Sequence, residues 1–447
     1  MSAVAPFDPP AAALAPALAC HVHKFGGSSL ADAAHIARLA TLVPADAWLR
    51  PVVVSAMAGT TNALVALGDA ARAGEDWKPG WAALRARHLE TADAFESDAG
   101  GALHLALEAD LGVLARDLQA LEADVDARND HARLARIHGC GEQLSSRLAQ
   151  AALGPDWRRL DAREVLVVHA AEMGAVVDWD ASRAKLAAWR LAHGARDVVI
   201  TGFVARDAEG RDTTLGRNGS DYSAAIFANL FDADALTIWT DVDGVLSADP
   251  RLVPDAVCLE AMSYAEACEL AYFGAKVLHP QTLAPVQSRG TPVRIRNSRN
   301  AAAPGTLIAL DAAPAASPVK GLSLVRDVAV LELVGNGLVG VPGMAERMFA
   351  ALHGAGVSVT MISQGSSEHS ICCVVRAEQA TRGHDAITAV FAEAIAEGQA
   401  QGVAVTTDLC VLAAVGDGMV GSQGVAARLF DGLAQARVNI RAIAQGA

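Results

Sequence analysis

From Leu18 to about Leu310, short apolar, β-branched runs alternate with amphipathic stretches of helical period. Runs of this kind, bounded by Gly, Pro, Asn and Asp, predict strands at Cys20–Lys24, Pro51–Ser55, Asp197–Val204, Leu236–Thr240 and Pro292–Asn297. Helices are predicted between them, among them Ala31–Leu42 and Ala132–Leu153. Strands alternating with helices predict a parallel or mixed sheet covered on both faces. Ser263-x-x-Glu266 is a capping box and predicts a helix to about Tyr272, after which Pro280 stops helix formation.

The pattern changes at Asp311-Ala-Ala-Pro314-Ala-Ala-Ser317-Pro318, whose small residues and prolines predict an exposed boundary. Beyond it, Gly335-Asn-Gly337-Leu-Val-Gly340-Val-Pro-Gly343 returns 81 residues later as Gly416-Asp-Gly418-Met-Val-Gly421-Ser-Gln-Gly424. The register holds to Gln364-Gly365 against Gln445-Gly446. Each copy reads strand, Gly-rich turn, amphipathic helix, strand. Both copies have the outward form of a dinucleotide fingerprint. Neither Val357–Ser363 nor Val438–Ala444 supplies the acid that would hold a ribose, and a duplicated sensor fits better. The second copy stops before the strand that Ser370–Val375 supplies in the first. An unpaired edge would result, so a piece of a longer protein is expected. The expected division is a disordered tail at 1–20, an α/β domain at 21–311, a linker at 312–320, and repeat units at 321–400 and 401–447.

Composition narrows the partners. The chain is 52% apolar, enough for a core in each domain, and its formal net charge of −14 speaks against nucleic acid. A small anion held by a few local cations remains compatible with that charge. The seven cysteines are odd in number and form no C-x-x-C pair, so neither a disulfide nor a zinc framework follows and a reducing cytoplasm is expected. The first twenty residues contain no Lys or Arg and lack the basic start of a signal peptide. No apolar run is long enough to cross a bilayer. Lysine is rare against an arginine-rich background, occurring only at Lys24, Lys78, Lys185, Lys276 and Lys320.

Several motifs carry candidate chemistry. In His23-Lys24-Phe25-Gly26-Gly27-Ser28-Ser29, a strand meets a helix. The glycines let backbone approach a phosphate, the helix start favours negative charge, and Lys24 adds a cation; an ordinary strand–turn–helix is the alternative. Leu215-Gly216-Arg217-Asn218-Gly219-Ser220-Asp221 also ends at a helix start, with Ser220 or Asp221 as cap. Arg217 adds a fork suited to a carboxylate, a contact worth about 1.5–3 kcal/mol. The acids of Thr240-Asp241-Val242-Asp243-Gly244 suit a cation or a ribose, or make a plain Asp-Gly turn. Glu142 in Gly139-Cys140-Gly141-Glu142 and Thr61 in Gly59-Thr60-Thr61-Asn62 are weaker candidates, with solvated surface as their alternative. The histidines have no metal-like spacing, no serine or cysteine triad is suggested, and no metal ligand is assigned.

Taken together, Lys24-Phe-Gly-Gly-Ser, Leu215-Gly-Arg-Asn-Gly-Ser-Asp-Tyr, Trp239-Thr-Asp-Val-Asp-Gly-Val and Phe273-Gly-Ala-Lys-Val-Leu-His-Pro280 resemble the aspartate kinases of the amino-acid-kinase superfamily. The likeness covers nearly the whole chain from about Val22. The tail resembles that family's tandem ACT domains, and Gln364-Gly-Ser-Ser-Glu-His-Ser-Ile371 is most similar to the bifunctional aspartate kinase–homoserine dehydrogenases. The resemblance implies an α/β fold: a three-layer αβα sandwich catalytic domain followed by a tandem ACT-like, ferredoxin-like α+β regulatory domain. It implies ATP-dependent phosphorylation of the β-carboxylate of L-aspartate, the first step of threonine, lysine and methionine biosynthesis, with Mg²⁺ bridging the phosphates. It further implies an amino-acid effector, threonine favoured, and a homodimer or higher homo-oligomer formed through the ACT units. No nucleic-acid or membrane partner is implied, and a dehydrogenase half would lie beyond Ala447.

By the same resemblance, Lys24, Gly26, Gly27 and Ser28 lie against the ATP phosphates and Lys276 reaches them from the other side. Thr240, Asp241, Leu246, Arg251 and Val277 line the nucleotide site. Thr61, Glu142, Arg217, Asn218, Gly219 and Ser220 hold aspartate, Glu142 taking the amino group and Arg217 the α-carboxylate. Asp221 orients the lysine, so that Lys24, Asp221 and Lys276 form the catalytic set, and Gln364 and Gln445 bind the effector. Leu246 departs from the family, where many members have Tyr. The β-carboxylate is ionised at neutral pH, with a free pKa of about 4, so no general base is required. The alternatives are another amino-acid or carbamate kinase, and a catalytically silent sensing subunit.

Overall fold

The computed structural model describes residues 18–45, 47–124, 130–171, 174–194, 197–274, 280–312, 317–335, 341–364 and 370–445. The chain forms two compact units. The first comprises Met1–Val245, Cys258–Ala267 and Val277–Ala313; the second comprises Leu246–Val257, Cys268–Lys276 and Pro314–Ala447. Two short segments of the expected catalytic span, 246–257 and 268–276, therefore group with the C-terminal unit.

In chain order the first part reads β1 (Leu18–Phe25), α1 (Ala33–Ala37), α2 (Leu39–Leu42), β2 (Ala47–Val54), α3 (Thr60–Ala73), α4 (Lys78–Asp93), α5 (Ala102–Ala123) and α6 (His131–Leu153). It continues β3 (Arg158–Leu160), β4 (Val168–Ala171), β5 (Gly174–Val177), α7 (Trp179–His193), β6 (Asp197–Thr201), β7 (Val204–Arg206), β8 (Asp212–Thr214), α8 (Gly219–Leu230) and β9 (Ala235–Thr240). Then come β10 (Ala261–Ser263), α9 (Tyr264–Tyr272), α10 (Pro280–Gln287), β11 (Val293–Asn297) and β12 (Thr306–Ala309). Eight strands form one sheet in the order β10-β12-β11-β9-β1-β2-β6-β3, parallel except between β11 and β12. Val52, Val53 and Val54 of β2 and Val198, Val199 and Ile200 of β6 are wholly buried, as expected of central strands covered on both faces. Helices α3–α6 pack Leu64, Leu84, Leu111, Leu118, Leu144 and Leu148 into one cluster with Phe25, Val52 and Val54.

Local chemistry sets the element boundaries. The helix expected at Ala31–Leu42 begins only after Asp32, whose carboxylate accepts from the His35 N–H at 2.9 Å, and it runs as two short pieces. Asp130 caps α6 by accepting from the N–H groups of Ala132 and Arg133. The run expected as one strand over Asp197–Val204 is split, because Phe203 sits at φ 68 in the left-handed region and breaks the ladder between β6 and β7. The capping box at Ser263 and Glu266 is present with both reciprocal bonds. Pro280 does not end a helix; it is the first residue of α10, where its missing N–H is harmless. β1 starts at Leu18, inside the expected tail.

The second unit contains β13 (Gly321–Val334), α11 (Met344–Gly354), β14 (Val359–Gln364), β15 (Ser370–Arg376), α12 (Ala380–Val390), α13 (Ala392–Ala396), β16 (Gly402–Val415) and α14 (Val425–Gln435). Its antiparallel sheet has the order β14-β15-β13-β16, the strand arrangement of a ferredoxin-like βαββαβ unit. Leu331, Leu333, Met348, Leu352, Ile371, Cys373, Ile387 and Phe391 form its core. β16, where the second repeat unit was expected to begin, pairs along β13 and supplies the fourth strand of the first sheet. The duplication is visible in the backbone: α11 and α14 each follow a glycine in the left-handed region, Gly343 at φ 86 and Gly424 at φ 79. Val438–Ala444 does not form the expected strand. Among the described residues it is joined to β14 by one bond, from Ser363 Oγ to the Ile443 carbonyl at 3.1 Å. No described helix is long and apolar enough to cross a membrane.

Candidate active site

The chain leaves β1 for β2 on one side, and β9 later pairs with β1 on the other. The carboxyl ends of strands at such a reversal open into a crevice where ligands bind in α/β proteins. Here the crevice is a cleft of about 420 Å³, lined among others by Lys24, Gly27, Thr61, Glu142, Arg217, Asn218, Gly219, Ser220 and Asp221. These candidates are spread over two hundred residues of sequence, and the fold gathers them at one end of the sheet.

Each arrives by a local device. Lys24 is the penultimate residue of β1 and is buried, with Nζ 2.6 Å from Asp221 Oδ1 on the first turn of α8. A Cβ on Gly26 would stand 3.3 Å from that Nζ, and one on Gly27 would stand 3.0 Å from the Ala56 carbonyl. Gly26 thus leaves room beside the lysine, and Gly27 lets the chain pass close to the Ala56–Ala58 backbone. Three helical starts border the cleft: a 3₁₀ turn at Gly27–Leu30, α3 after Gly59, and α8 after Asn218. None of the three is capped by a side chain. The expected cap by Ser220 or Asp221 is absent because Asn218, at φ 55, takes the capping position. Uncapped N–H groups and the helix dipole favour an anion at these starts.

The charges in the cleft are specific. Glu142 lies inside α6 and is 3% exposed; its Oε1 accepts from the Ala56 N–H at 3.1 Å, while Oε2 is buried without a partner. Desolvation pushes this carboxyl up to about 8, with the Ala56 N–H, Lys24 and Ser220 pulling it back. A cationic ligand group facing Oε2 would supply the missing partner. Arg217 is exposed and has no hydrogen-bond or ion-pair partner among the described residues, so its fork is available to a carboxylate.

The remaining candidates stand elsewhere. Gly26 and Ser28 flank Gly27 and are half-buried. Thr240 ends β9, with its hydroxyl 3.2 Å from Asp241 Oδ1, and its carbonyl accepts from the Ser298 N–H at 2.8 Å. Leu246 and Arg251 belong to the segment that groups with the second unit. There Arg251 pairs with Asp249 at 2.6 Å and holds that carboxyl down to about 2. Lys276 and Val277 lie outside the described residues. Gln364 ends β14 and is exposed, as is Gln445. The Ser363–Ile443 bond lays the two segments that carry them side by side.

Sequence reasoning missed Phe203, Asn62 and the Ser55–Met57 segment, all of which line the cleft. For Phe203 a signal was present. Gly202 interrupts an apolar run, and a glycine inside a strand marks a bulge or a close backbone approach. A Cβ there would sit 2.8 Å from the Val54 carbonyl.

Residues 19–297 match the model of the amino acid kinase family, and residues 331–391 and 412–447 match an ACT domain model. The chain is 38% identical over 437 residues to the Arabidopsis thaliana chloroplastic bifunctional aspartokinase/homoserine dehydrogenase 1, covering 95% of this chain and 48% of that protein. It therefore spans about half the length of that relative. It is 31% identical to the Escherichia coli lysine-sensitive aspartokinase 3, covering 95% of this chain and 93% of that protein. The fold superposes on the E. coli aspartokinase III solved in complex with aspartate and ADP (R-state) with a TM-score of 0.76 and 30% identity, covering 96% and 94% of the two chains. On these grounds, and with this cleft, the chain belongs to the amino acid kinase family, in its aspartokinase branch.

Proposed function

We propose that this chain phosphorylates the β-carboxylate of L-aspartate at the expense of ATP, giving 4-phospho-L-aspartate and ADP. The observation that carries the reading is the cleft itself, which faces a buried carboxylate, Glu142, and a free guanidinium, Arg217, with Lys24 at its floor. An α-amino acid presents the complementary ammonium and carboxylate. Glu142 also discriminates: an acylated amino group cannot supply the cation its buried oxygen lacks. The E. coli relatives, solved with aspartate and ADP in one case and named lysine-sensitive in the other, support both the substrate and an amino-acid effector.

In this reading Arg217 and Glu142 fix the amino-acid end, with Thr61, Asn218, Gly219 and Ser220 around it. The β-carboxylate, already ionised, attacks the γ-phosphorus; the new O–P bond forms as the bond to the ADP oxygen breaks. Lys24 neutralises charge on the transferring group, Asp221 holds the Lys24 ammonium in place, and Lys276 acts from the other side. Gly26, Gly27 and Ser28 carry the phosphates, while Thr240, Asp241, Leu246, Arg251 and Val277 take the nucleotide. Positioning and charge stabilisation suffice for such a transfer. A Mg²⁺ would be carried chiefly on the ATP phosphates, with Asp241 at the end of β9 as the nearby oxygen donor of the assigned nucleotide residues. That ion supplies charge neutralisation when bound.

The ACT-like region takes an amino-acid effector, threonine favoured, near Gln364 and Gln445, and joins chains into a homodimer or larger assembly. Seven free thiols suit a reducing compartment, and we place the chain in the cytoplasm. The deciding experiment is ATP consumption with L-aspartate, L-glutamate, N-acetyl-L-glutamate and carbamate in turn, each with and without threonine and lysine. Turnover with aspartate alone is expected. Preference for another acid, or no turnover with any, overturns the reading.

A further inference from the structure

One ionic cluster of the first unit lies outside the cleft and has no role in the chemistry above. Asp212, on β8, has a side chain only 10% exposed. Its Oδ1 accepts from Arg206 Nε at 2.9 Å, across the β7–β8 hairpin. Its Oδ2 stands 3.6 Å from Arg163 Nη1 and 4.0 Å from Arg136 Nη1. The guanidiniums come from three elements: the hairpin, the 3₁₀ turn at Ala162–Glu164, and α6. Two of them are held from behind, Arg136 by both carboxylate oxygens of Asp117 on α5, and Arg163 by Asp161. Arginine forks gripping carboxylates on several sides give directional, short-range ties.

The elements joined there are the ones that carry the two ends of the amino-acid clamp. α6 presents Arg136 to Asp212 and, about 9 Å further along its axis, Glu142 to the cleft. The hairpin presents Asp212 at one end. At its other end Leu215 N–H donates to the Phe203 carbonyl at 2.8 Å, and the chain passes directly into Gly216 and Arg217. Packing brings α6 against the hairpin independently of the charges: a Cβ on Gly139 would lie 2.3 Å from Val204 Cγ1, so only glycine fits between them.

We propose that Asp212 is a positioning residue for the amino-acid substrate: by tying the β7–β8 hairpin to α6 through Arg136 and to the 3₁₀ turn through Arg163, with Arg206 bracing it inside the hairpin, it sets the separation of Glu142 and Arg217. This rests on the reading of the cleft as an aspartate site. Asp212 touches no reacting group and acts through Arg217. Misplacing a clamp residue by a fraction of its contact distance weakens binding of the group it holds and leaves the nucleotide end largely alone.

The test is steady-state kinetics of the full chain with aspartate and ATP varied in turn. Asp212→Asn is expected to raise the aspartate KM by about tenfold while the ATP KM stays within about twofold. In an Arg217→Ala background the same change is expected to add less than about twofold, because both substitutions disable one device. Asp110→Asn, which loosens α5 from α6 at Arg147 without touching Arg136 or the hairpin, controls for general loosening; it is expected to lower the melting temperature and leave the aspartate KM unchanged. An unchanged aspartate KM in Asp212→Asn, an equal rise for both substrates, or additivity with Arg217→Ala each overturns the proposal. Absence of aspartate turnover in the parent chain overturns the underlying substrate reading instead, so the two failures are distinguishable.

Discussion

Lys24 Nζ and Asp221 Oδ1 stand 2.6 Å apart, one on the strand at the middle of the sheet and the other on the first turn of α8. The acid holds the ammonium in a single place, beside the backbone of Gly26. Lys24→Ala is expected to cut kcat by about a hundredfold or more, since a preorganised charge at the transferring group is lost. The fold should survive, because Lys24 lies at the open end of β1. The check is a coupled ADP-release assay beside a thermal melt; near-normal turnover in a folded variant would refute the assignment.

Glu142 gives the ligand-free chain a pH dependence of defined sign. Burial raises its carboxyl from 4.5 to about 8, so between those values the folded chain keeps a proton that the unfolded chain has released. Stability therefore falls as pH rises from about 4.5 towards 8. Melting curves across this range should show the decline in the parent chain and a flatter profile in Glu142→Gln. Saturating aspartate should flatten it too, its ammonium partnering the ionised carboxylate. An equally steep decline in the glutamine variant would exclude Glu142 as the source.

Arg217→Ala removes a charge-assisted contact worth about 1.5–3 kcal/mol, which corresponds to a rise in aspartate KM of about 10- to 150-fold. The ATP KM should move little. A variant with unchanged aspartate KM would mean that another cation holds the α-carboxylate.

Gly219→Ala tests a close contact at the wall of the cleft. The added Cβ would meet Phe203 Cδ2 at 2.6 Å and Leu215 Cβ at 3.2 Å. Overpacking of this kind costs about 1–3 kcal/mol. Both stability and aspartate affinity should suffer, and Phe203→Ala in the same chain should restore part of the loss. A harmless Gly219→Ala would show that Phe203 yields freely.

Much of the first unit was legible because strands buried on both faces are written as unbroken apolar runs, as at Val52–Val54 and Val198–Ile200. Lys24, Arg217 and Asp221 were legible because glycines and a helix start surround them. Glu142 was hard to weigh in sequence, since its meaning lies in a buried, unpartnered oxygen that only the packing of α6 against Ala56 creates. Phe203 was hidden because its backbone leaves the strand region at a residue type that ordinarily stays in it. The pairing of β16 with β13 was hidden for another reason: the repeat marks Gly402–Val415 as the start of a new unit, while hydrogen bonding assigns it to the old one.

That pairing bears on how the protein is made. β13 ends at Val334 and its partner β16 begins at Gly402, with α11, β14, β15, α12 and α13 between them. During synthesis β13 can zip to β15 as soon as Arg376 clears the ribosome, but its opposite edge stays open until Val415 has emerged. At an elongation rate of about 5–20 residues per second that interval lasts a few seconds. Through it, a nascent chain has one long strand edge available to a neighbouring ribosome's product on the same message. The order in which this sheet closes thus leaves the long strand of the second unit open to wrong partners while the chain is being born.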